Sequence, residues 1–305
     1  MTSGPPSSVD GTTTAYAVRH VTTYRYGSPM AGSRMLAHLV PRSTPTQNVG
    51  EAIVSCHPFA EHRQTHLDAF GNLALYLEVE GPHDLLVVVA TSTVQVRPAS
   101  LPDDRPWDQI AVALAGDVTA DGQLARWCRL DSALVERSEE LADYARPSFD
   151  PGRGIVDAVT ELTRRIFLDF AFDPSATDVA TPLNEVLAMR RGVCQDFAHL
   201  AIGCLRSVGL AGRYVSGYLE TLPPPGQPPL VGVDASHAWC ATYVPGFGWF
   251  DADPTNDQVP PQRHITLGWG RDYQDVAPLR GTAFGPPTTQ ELYVSVDVSR
   301  VATTP

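Results

Sequence analysis

The sequence predicts an α+β protein in which an antiparallel, β-sandwich-like domain precedes a core of helices and strands. Three observations support this fold class. Short aromatic and β-branched runs fill residues 16–96, apolar residues at helical spacing follow them, and strand-like runs return after residue 211. A chain of 305 residues can bury a substantial core and is long enough for two units.

The first domain is predicted over residues 16–97, after a disordered tail at 1–15 that is rich in Ser, Thr, Gly and Pro. Its first strand, from Tyr16 to Tyr26, is bounded by Gly27. Short strands separated by turn residues are typical of an antiparallel sandwich. The further strands are predicted at 34–40, 49–57, 64–67, 73–80 and 85–96, with turns at 68–72 and 81–84.

Helices are predicted in the middle of the chain. A proline-rich joint opens a connector of short helices at 98–150, and a stronger helix follows at 154–170, where apolar residues repeat at four-three-four-four spacing. A shorter helix covers 183–189. The next helix begins at or just after Cys194, has one buried stripe from Phe197 to Val208, and ends at Gly209 as a left-handed cap.

Strands complete the predicted core, which spans residues 151–260. They are expected at 212–221, 237–244 and 248–252. The segment 222–234 contains five prolines and two glycines, a composition that predicts a loop leading to His237. Residues 261–305 form a predicted tail with a final strand at 291–298.

Cys194, His237 and Asp253 are the candidate catalytic residues. A thiol in the first turn of a helix faces the positive end of the helix dipole, and the free N–H groups there can hold an acyl oxyanion. A histidine on a strand can act as its base, and a carboxylate can orient the imidazole. Asp251 competes with Asp253 because alternation places both on one side of the strand.

Gly192, Gln195 and Trp239 are predicted to border this site. Gly192 would leave room for an incoming carbonyl, and Trp239 shares a strand face with His237 and could exclude water. All five cysteines are predicted to be reduced, and Cys56, Cys128 and Cys204 are predicted to be small buried hydrophobic residues. The odd count of five cysteines and the lack of an export signal favour a cytoplasmic protein.

Four spaced motifs resemble those of the bacterial transglutaminase-like proteins: 192–198 (GVCQDFA), 213–218 (RYVSGY), 237–239 (HAW) and 253–256 (DPTN). Residues 16–96 resemble the β region that often precedes this core, and 264–278 also resemble that subgroup. The resemblance implies a papain-like Cys-His-Asp core, with Cys194 as nucleophile, His237 as base and acid, and Asp253 as orienting carboxylate. Many relatives carry Val-Glu after the HAW motif, whereas this chain has Cys240-Ala241.

The implied activity is thiol-dependent acyl transfer on peptide or isopeptide amides, favouring hydrolysis as a cysteine peptidase or amidase. Amine transfer, as in a transglutaminase, and a non-catalytic binding module remain alternatives. The calcium-binding loops of the animal enzymes have no counterpart, so neither calcium nor another cofactor is expected. A metal site of Cys194, His199, His237 and Cys240 is a further alternative, although strand alternation separates His237 from Cys240.

Composition limits the partners. The net charge of −12 argues against nucleic-acid binding, which usually requires a basic surface. No apolar stretch approaches the ~20 residues of a membrane span. The expected partner is therefore a peptide or protein substrate, and the oligomeric state stays open.

Overall fold

The computed structural model describes residues 13–221, 236–259 and 263–301. The predicted tail, apart from residues 13–15, and the predicted loop at 222–234 lie outside these ranges. The described residues form a strand-rich α/β protein with a six-stranded sheet, a four-stranded sheet and a group of helices. No helix in the described ranges is both long enough and apolar enough to cross a membrane.

The larger sheet is antiparallel and is built on two strands of 24 residues each, which pair along most of their length. Four strands of the sheet come from the amino-terminal part of the chain: β1 (Thr14–Ala37), β2 (Gln47–His57), β3 (His62–Leu67) and β4 (Leu73–Val96). Strands β2 and β3 both pair with β4, at opposite ends of it. The turn predicted at 81–84 is a continuation of β4, in which Gly81 adopts a positive φ of 86°.

The predicted antiparallel domain is present as a sheet, and its strands form one continuous sheet instead of two stacked ones. The register of β1 and β4 shifts between Arg25 and Gly32, which divides the sheet into two halves. Apolar side chains from both halves share one core, including Met35 and Leu77 from one half and Val54 and Val88 from the other. A bulge in two long strands therefore lets a single sheet enclose a core that two sheets usually share.

Short helices and one long helix follow: α1 (Trp107–Gly116), α2 (Ala120–Trp127), α3 (Glu139–Ala145) and α4 (Ile155–Asp169). The predicted connector helices and the predicted helix at 154–170 are therefore present. The chain then forms a two-residue strand β5 (Ala171–Phe172), helix α5 (Leu183–Met189) and a two-residue strand β6 (Arg191–Gly192), and β5 and β6 pair in parallel.

Helix α6 (Cys194–Ser207) lies at the centre of the second half of the protein. It begins at Cys194, and Gly209 follows it with a positive φ of 91°, as the sequence predicts. The prediction of a single buried stripe is too narrow, because every residue from Asp196 to Arg206 is buried. The helix is enclosed by α3, α4 and α5 and by the strands that follow.

The smaller sheet packs against α6 and has the strand order β10-β7-β8-β9. Its strands are β7 (Gly212–Leu219), β8 (Ser236–Val244), β9 (Gly248–Ala252) and β10 (His264–Gly270). Helix α7 (Tyr273–Val276) follows β10, and the chain then returns to the larger sheet with β11 (Leu279–Phe284) and β12 (Gln290–Val301).

The carboxyl-terminal segment ties the two sheets together. Strands β11 and β12 pair with β1, while β10 belongs to the smaller sheet. The side-chain amide of Gln47 donates to the Thr266 carbonyl at 2.7 Å, and that of Asn72 donates to the Trp269 carbonyl at 2.7 Å. The segment predicted as a tail is thus part of both sheets.

Candidate active site

Cys194 is the first residue of α6 and is half-buried, whereas the other four cysteines are free and buried. Its position places the thiol at the amino end of a helix of 14 residues, near backbone N–H groups that have no partner within the helix. Of the five thiols, Cys194 alone combines this helix position with partial exposure.

The turn before Cys194 is held by Asp196. Its carboxylate accepts hydrogen bonds from the Val193 N–H at 2.8 Å and from the Thr177 hydroxyl at 2.6 Å. A Cβ on Gly192 would lie 2.5 Å from this carboxylate. The close approach of Asp196 therefore explains why residue 192 is a glycine. From the sequence, the glycine was predicted to leave room for an incoming substrate carbonyl. Gln195 is half-buried, and its side-chain amide donates to the Val179 carbonyl at 3.3 Å.

His237 and Asp253 are in hydrogen-bonding contact. His237 is the second residue of β8, and Asp253 follows the last residue of the neighbouring strand β9. The distance from His237 Nε2 to Asp253 Oδ2 is 2.8 Å, and both side chains are buried. Asp253 rather than Asp251 is thus the carboxylate that contacts the imidazole. Asp251 lies within β9, and the chain leaves that strand before Asp253.

The Asp253 carboxylate is surrounded by donors. Oδ2 accepts from the Asn256 side-chain amide at 2.7 Å and from His264 Nε2 at 2.7 Å, in addition to His237. Oδ1 accepts from the Thr255 N–H at 2.9 Å. A buried carboxylate with this many donors is stabilised in its ionised form and is fixed in orientation.

These contacts set the charge state of the pair. Burial by itself would raise the pKa of Asp253, but the hydrogen bonds from His237 and His264 outweigh it and hold that pKa far below its usual range. Burial would likewise lower the pKa of His237, but hydrogen bonds to Asp253 and Cys194 raise it to about 10. Cys194 therefore lies beside the imidazole, and the site favours an imidazolium next to the thiol.

His264 was not among the residues singled out from the sequence. It is the first residue of β10, is buried, and shares the Asp253 oxygen with His237. Burial lowers the pKa of His264, so it donates from Nε2 as a neutral imidazole. The signal available in the sequence was the alternation of 264–267, which resembles a strand. Nothing local indicated that this strand would lie beside the Asp253 turn.

We expect His264 to act as a positioning residue for Asp253. In His264→Ala the carboxylate loses one donor and can turn away from His237, so kcat should fall about 10²-fold with little change in KM. His264→Gln keeps a side-chain N–H at a similar reach and should recover most of kcat. Steady-state kinetics of both variants, with urea unfolding of each, test this role. Equal losses in the two variants, in proportion to lost stability, would indicate packing alone.

Trp239 is fully buried behind the imidazole. Its indole stacks on His237 with a centroid distance of 6.0 Å and meets the His264 ring edge-on at 4.9 Å. It therefore supports the two imidazoles from within the core. A direct role in lining the substrate cleft, as proposed from the sequence, remains a prediction.

Gly217 makes room for Trp239. It pairs with His237 across β7 and β8, and a Cβ there would overlap the Ile265 carbonyl oxygen and lie 2.5 Å from the indole. Gly217→Ala should therefore lower the free energy of unfolding by about 3 kcal/mol. Gly116→Ala, at a helical position with no heavy atom within 4 Å of the new Cβ, is the matched control. Urea unfolding measures both, and unchanged stability in Gly217→Ala would contradict the packing described.

The metal site considered from the sequence, with Cys194, His199, His237 and Cys240 as ligands, is not formed in the structure. His199 accepts a hydrogen bond from the Tyr273 N–H at 3.1 Å, and the Cys240 thiol donates to the Ala252 carbonyl within the core. In the part of the chain that the structure describes, the cluster with metal-ligand spacing is instead His237, Asp253 and His264, whose ligand atoms lie within 4.8 Å of one another. These three groups are already joined by the hydrogen bonds given above.

Comparison with known proteins identifies the family of the chain. Residues 16–95 match the bacterial transglutaminase-like N-terminal region, and residues 142–254 match the transglutaminase-like superfamily. The uncharacterized protein Rv2569c of Mycobacterium tuberculosis is 41% identical over 293 residues, which cover 93% of this chain and 92% of that protein. The chain belongs to the transglutaminase-like superfamily. The resemblance inferred from the four motifs is thereby confirmed.

Two further relatives extend the comparison. The uncharacterized protein ML0607 of Mycobacterium leprae is 33% identical over 290 residues, covering 93% of this chain and 98% of that protein. A solved structure from Cytophaga hutchinsonii, named as a candidate cysteine protease, has a TM-score of 0.75 at 19% identity, covering 96% of this chain and 92% of that one. At this identity the structural likeness shows a shared fold.

Proposed function

We propose that the protein is a thiol-dependent enzyme that cleaves peptide or isopeptide amides through a thioester on Cys194. The observation that carries the proposal is the placement of Cys194 at the amino end of α6, beside a histidine that is hydrogen-bonded to a buried carboxylate. A nucleophile, a base and an orienting group in this relation are the parts that acyl transfer requires.

The reaction follows from these positions. His237 Nε2 is engaged by Asp253, which leaves Nδ1 for the Cys194 thiol. The thiolate attacks the amide carbon and forms the C–S bond, and the carbonyl electrons move to oxygen. The C–N bond then breaks as the imidazolium gives its proton to the leaving amine. Water, deprotonated by the now neutral imidazole, attacks the thioester, releases the acid and regenerates the thiolate–imidazolium pair.

The acceptor in the second step is the point on which two functions differ. An amine in place of water would make the protein a transglutaminase, and the superfamily match favours that alternative enough to test it. We favour water because the protein, if cytoplasmic, has no evident need to cross-link proteins. A non-catalytic binding module on the same fold is the third outcome.

One assay separates these three functions. The purified protein would be incubated with a peptide library, with and without a primary amine, and the products identified by mass spectrometry. Free acids in both samples support hydrolysis, whereas amine adducts that replace the acids indicate transfer. No product in either sample, with intact protein, would overturn the proposal. Zinc bound at one equivalent in the purified protein would favour a metal site at His237, Asp253 and His264.

The pH dependence should reflect the raised pKa of His237. Because that pKa is about 10 in the folded protein, the imidazolium needed to protonate the leaving amine persists through neutral pH and is lost as pH rises through about 10. We therefore expect kcat/KM to fall on the alkaline side near pH 10. A pH–rate profile with a stability control at each pH measures this limb. An alkaline limb near 6.5, the ordinary value for histidine, would contradict the described contacts.

A further inference from the structure

A cavity lies on the face of the smaller sheet that is opposite to α6. Alternation along β8 sends Ala238 and Cys240 toward α6 and Trp239 toward this cavity. The cavity has a volume of about 450 Å³, which is within the range of small-molecule sites. Neither Cys194 nor His237 is among its described lining residues, whereas Trp239 and His264, which contact His237, border it. The cavity therefore adjoins the candidate active site without containing the thiol.

The cavity is bordered by both sheets and by helix α2. The loop between β1 and β2 contributes Arg42, the segment after β4 contributes Arg97, and α2 contributes Asp121. The smaller sheet contributes Arg213, Asp251 and three tryptophans. The lining therefore combines three guanidinium groups with two carboxylates and an aromatic wall.

Arg213 is the central feature of this cavity. It is 5% exposed, and its guanidinium carbon lies over the indoles of Trp249 at 4.2 Å and Trp269 at 3.8 Å. Its Nε is buried without a hydrogen-bond partner. A buried N–H group without an acceptor is energetically costly, and cation–π contacts offset only part of that cost.

Two further donors near Arg213 lack an acceptor. Arg42 stacks on Trp269 at 3.4 Å and donates from Nη1 to the Phe70 carbonyl and to Asn72 Oδ1, while its Nε and Trp269 Nε1 are buried without a partner. Burial lowers the pKa of Arg213 to about 9, with attraction to Asp251 acting in the opposite direction. Donors without acceptors are therefore concentrated around one cavity.

From this geometry we infer a binding site for a small molecule that carries an oxyanion, either a carboxylate or a phosphate, attached to a compact apolar body. The Arg213 guanidinium lies over two indoles, which leaves its edge to present N–H donors to a ligand. Such an edge matches the two oxygens of a carboxylate or phosphate. The indole walls would contact the apolar part of the ligand.

Binding can be measured by calorimetry and by tryptophan fluorescence, because three of the five tryptophans border the cavity. The probes are inorganic phosphate, acetate, benzoate and phenyl phosphate at constant ionic strength, with benzamide as the uncharged control. We expect saturable binding of benzoate or phenyl phosphate and none of benzamide. The ligand that binds with the lower Kd shows whether the site prefers a carboxylate or a phosphate. Absence of saturable binding for all four anions would overturn the inference.

Two variants assign the binding to this cavity. Arg213→Gln should weaken the affinity at least tenfold, and unchanged affinity in that folded variant would contradict the assignment. Asp251→Asn removes the competing carboxylate and should strengthen binding about tenfold. If Arg213→Gln does not fold, the Asp251→Asn variant decides, and an unchanged Kd in it overturns the inference. Cys194→Ala should bind as the wild type does, so this result is independent of the proposed acyl transfer.

Discussion

Cys194→Ala should abolish amide cleavage, with kcat falling by about 10⁴-fold or more, while the protein stays folded. The reason is that no other described thiol can replace it. The remaining four cysteines are buried, and burial raises the pKa of Cys204 to about 12 and that of Cys128 to about 11. Loss of a covalent nucleophile removes the whole two-step route and has effects of this size in other acyl-transfer enzymes.

Labelling with iodoacetamide provides the measurement for this variant. The wild type should take up one equivalent rapidly at neutral pH, and Cys194→Ala should take up none on that timescale. Cys56→Ala is the matched control, because Cys56 is free and buried in the larger sheet, far from the site. It should label and turn over as the wild type does. Rapid labelling that persists in Cys194→Ala would remove Cys194 from the mechanism.

Asp253→Asn should lower kcat by about 10⁴-fold with little effect on the fold, as the equivalent change does in other triads. The carboxylate accepts from His237, His264 and Asn256 through one oxygen. An amide oxygen can accept from these three donors only if the amide NH2 then faces the Thr255 N–H, and the neutral amide cannot stabilise the imidazolium.

The pH profile distinguishes this electrostatic role from a packing role. Without the charge of Asp253, the pKa of His237 should fall from about 10 toward and below the ordinary value, because burial then acts with less opposition. The alkaline limb of the residual activity should shift to lower pH by several units. Asp251→Asn is the control, since the charge of Asp251 interacts with Arg213. A variant with wild-type kcat and an unshifted profile would exclude Asp253 as the orienting group.

The local parts of the site could be predicted because each rests on short-range rules. Helix α6 begins at Cys194 because the short strand that ends at Gly192 is followed by residues with helical apolar spacing. Strands β8 and β9 are adjacent because only a tight turn separates them. The contact between His237 and Asp253 follows from that adjacency.

Long-range pairings were not predictable in the same way. Strand β10 contains Gly268 and Gly270, which weaken its strand signal, and its place beside β7 depends on contacts with Asn72 and Gln47. His264 reaches Asp253 only through that placement. Similarly, the sequence predicts two shorter strands in place of each of β1 and β4, because a bulge in a long strand has the same local glycine signature as a turn.

The most direct test of the account is to find the acyl group on Cys194 during turnover. Wild-type protein would be mixed with a reactive peptide ester, quenched in acid within milliseconds to seconds, and mapped by mass spectrometry. The account predicts an acyl adduct on the peptide that contains Cys194, which accumulates further when deacylation is slowed. Product formation at the full rate with no adduct on Cys194 would contradict it.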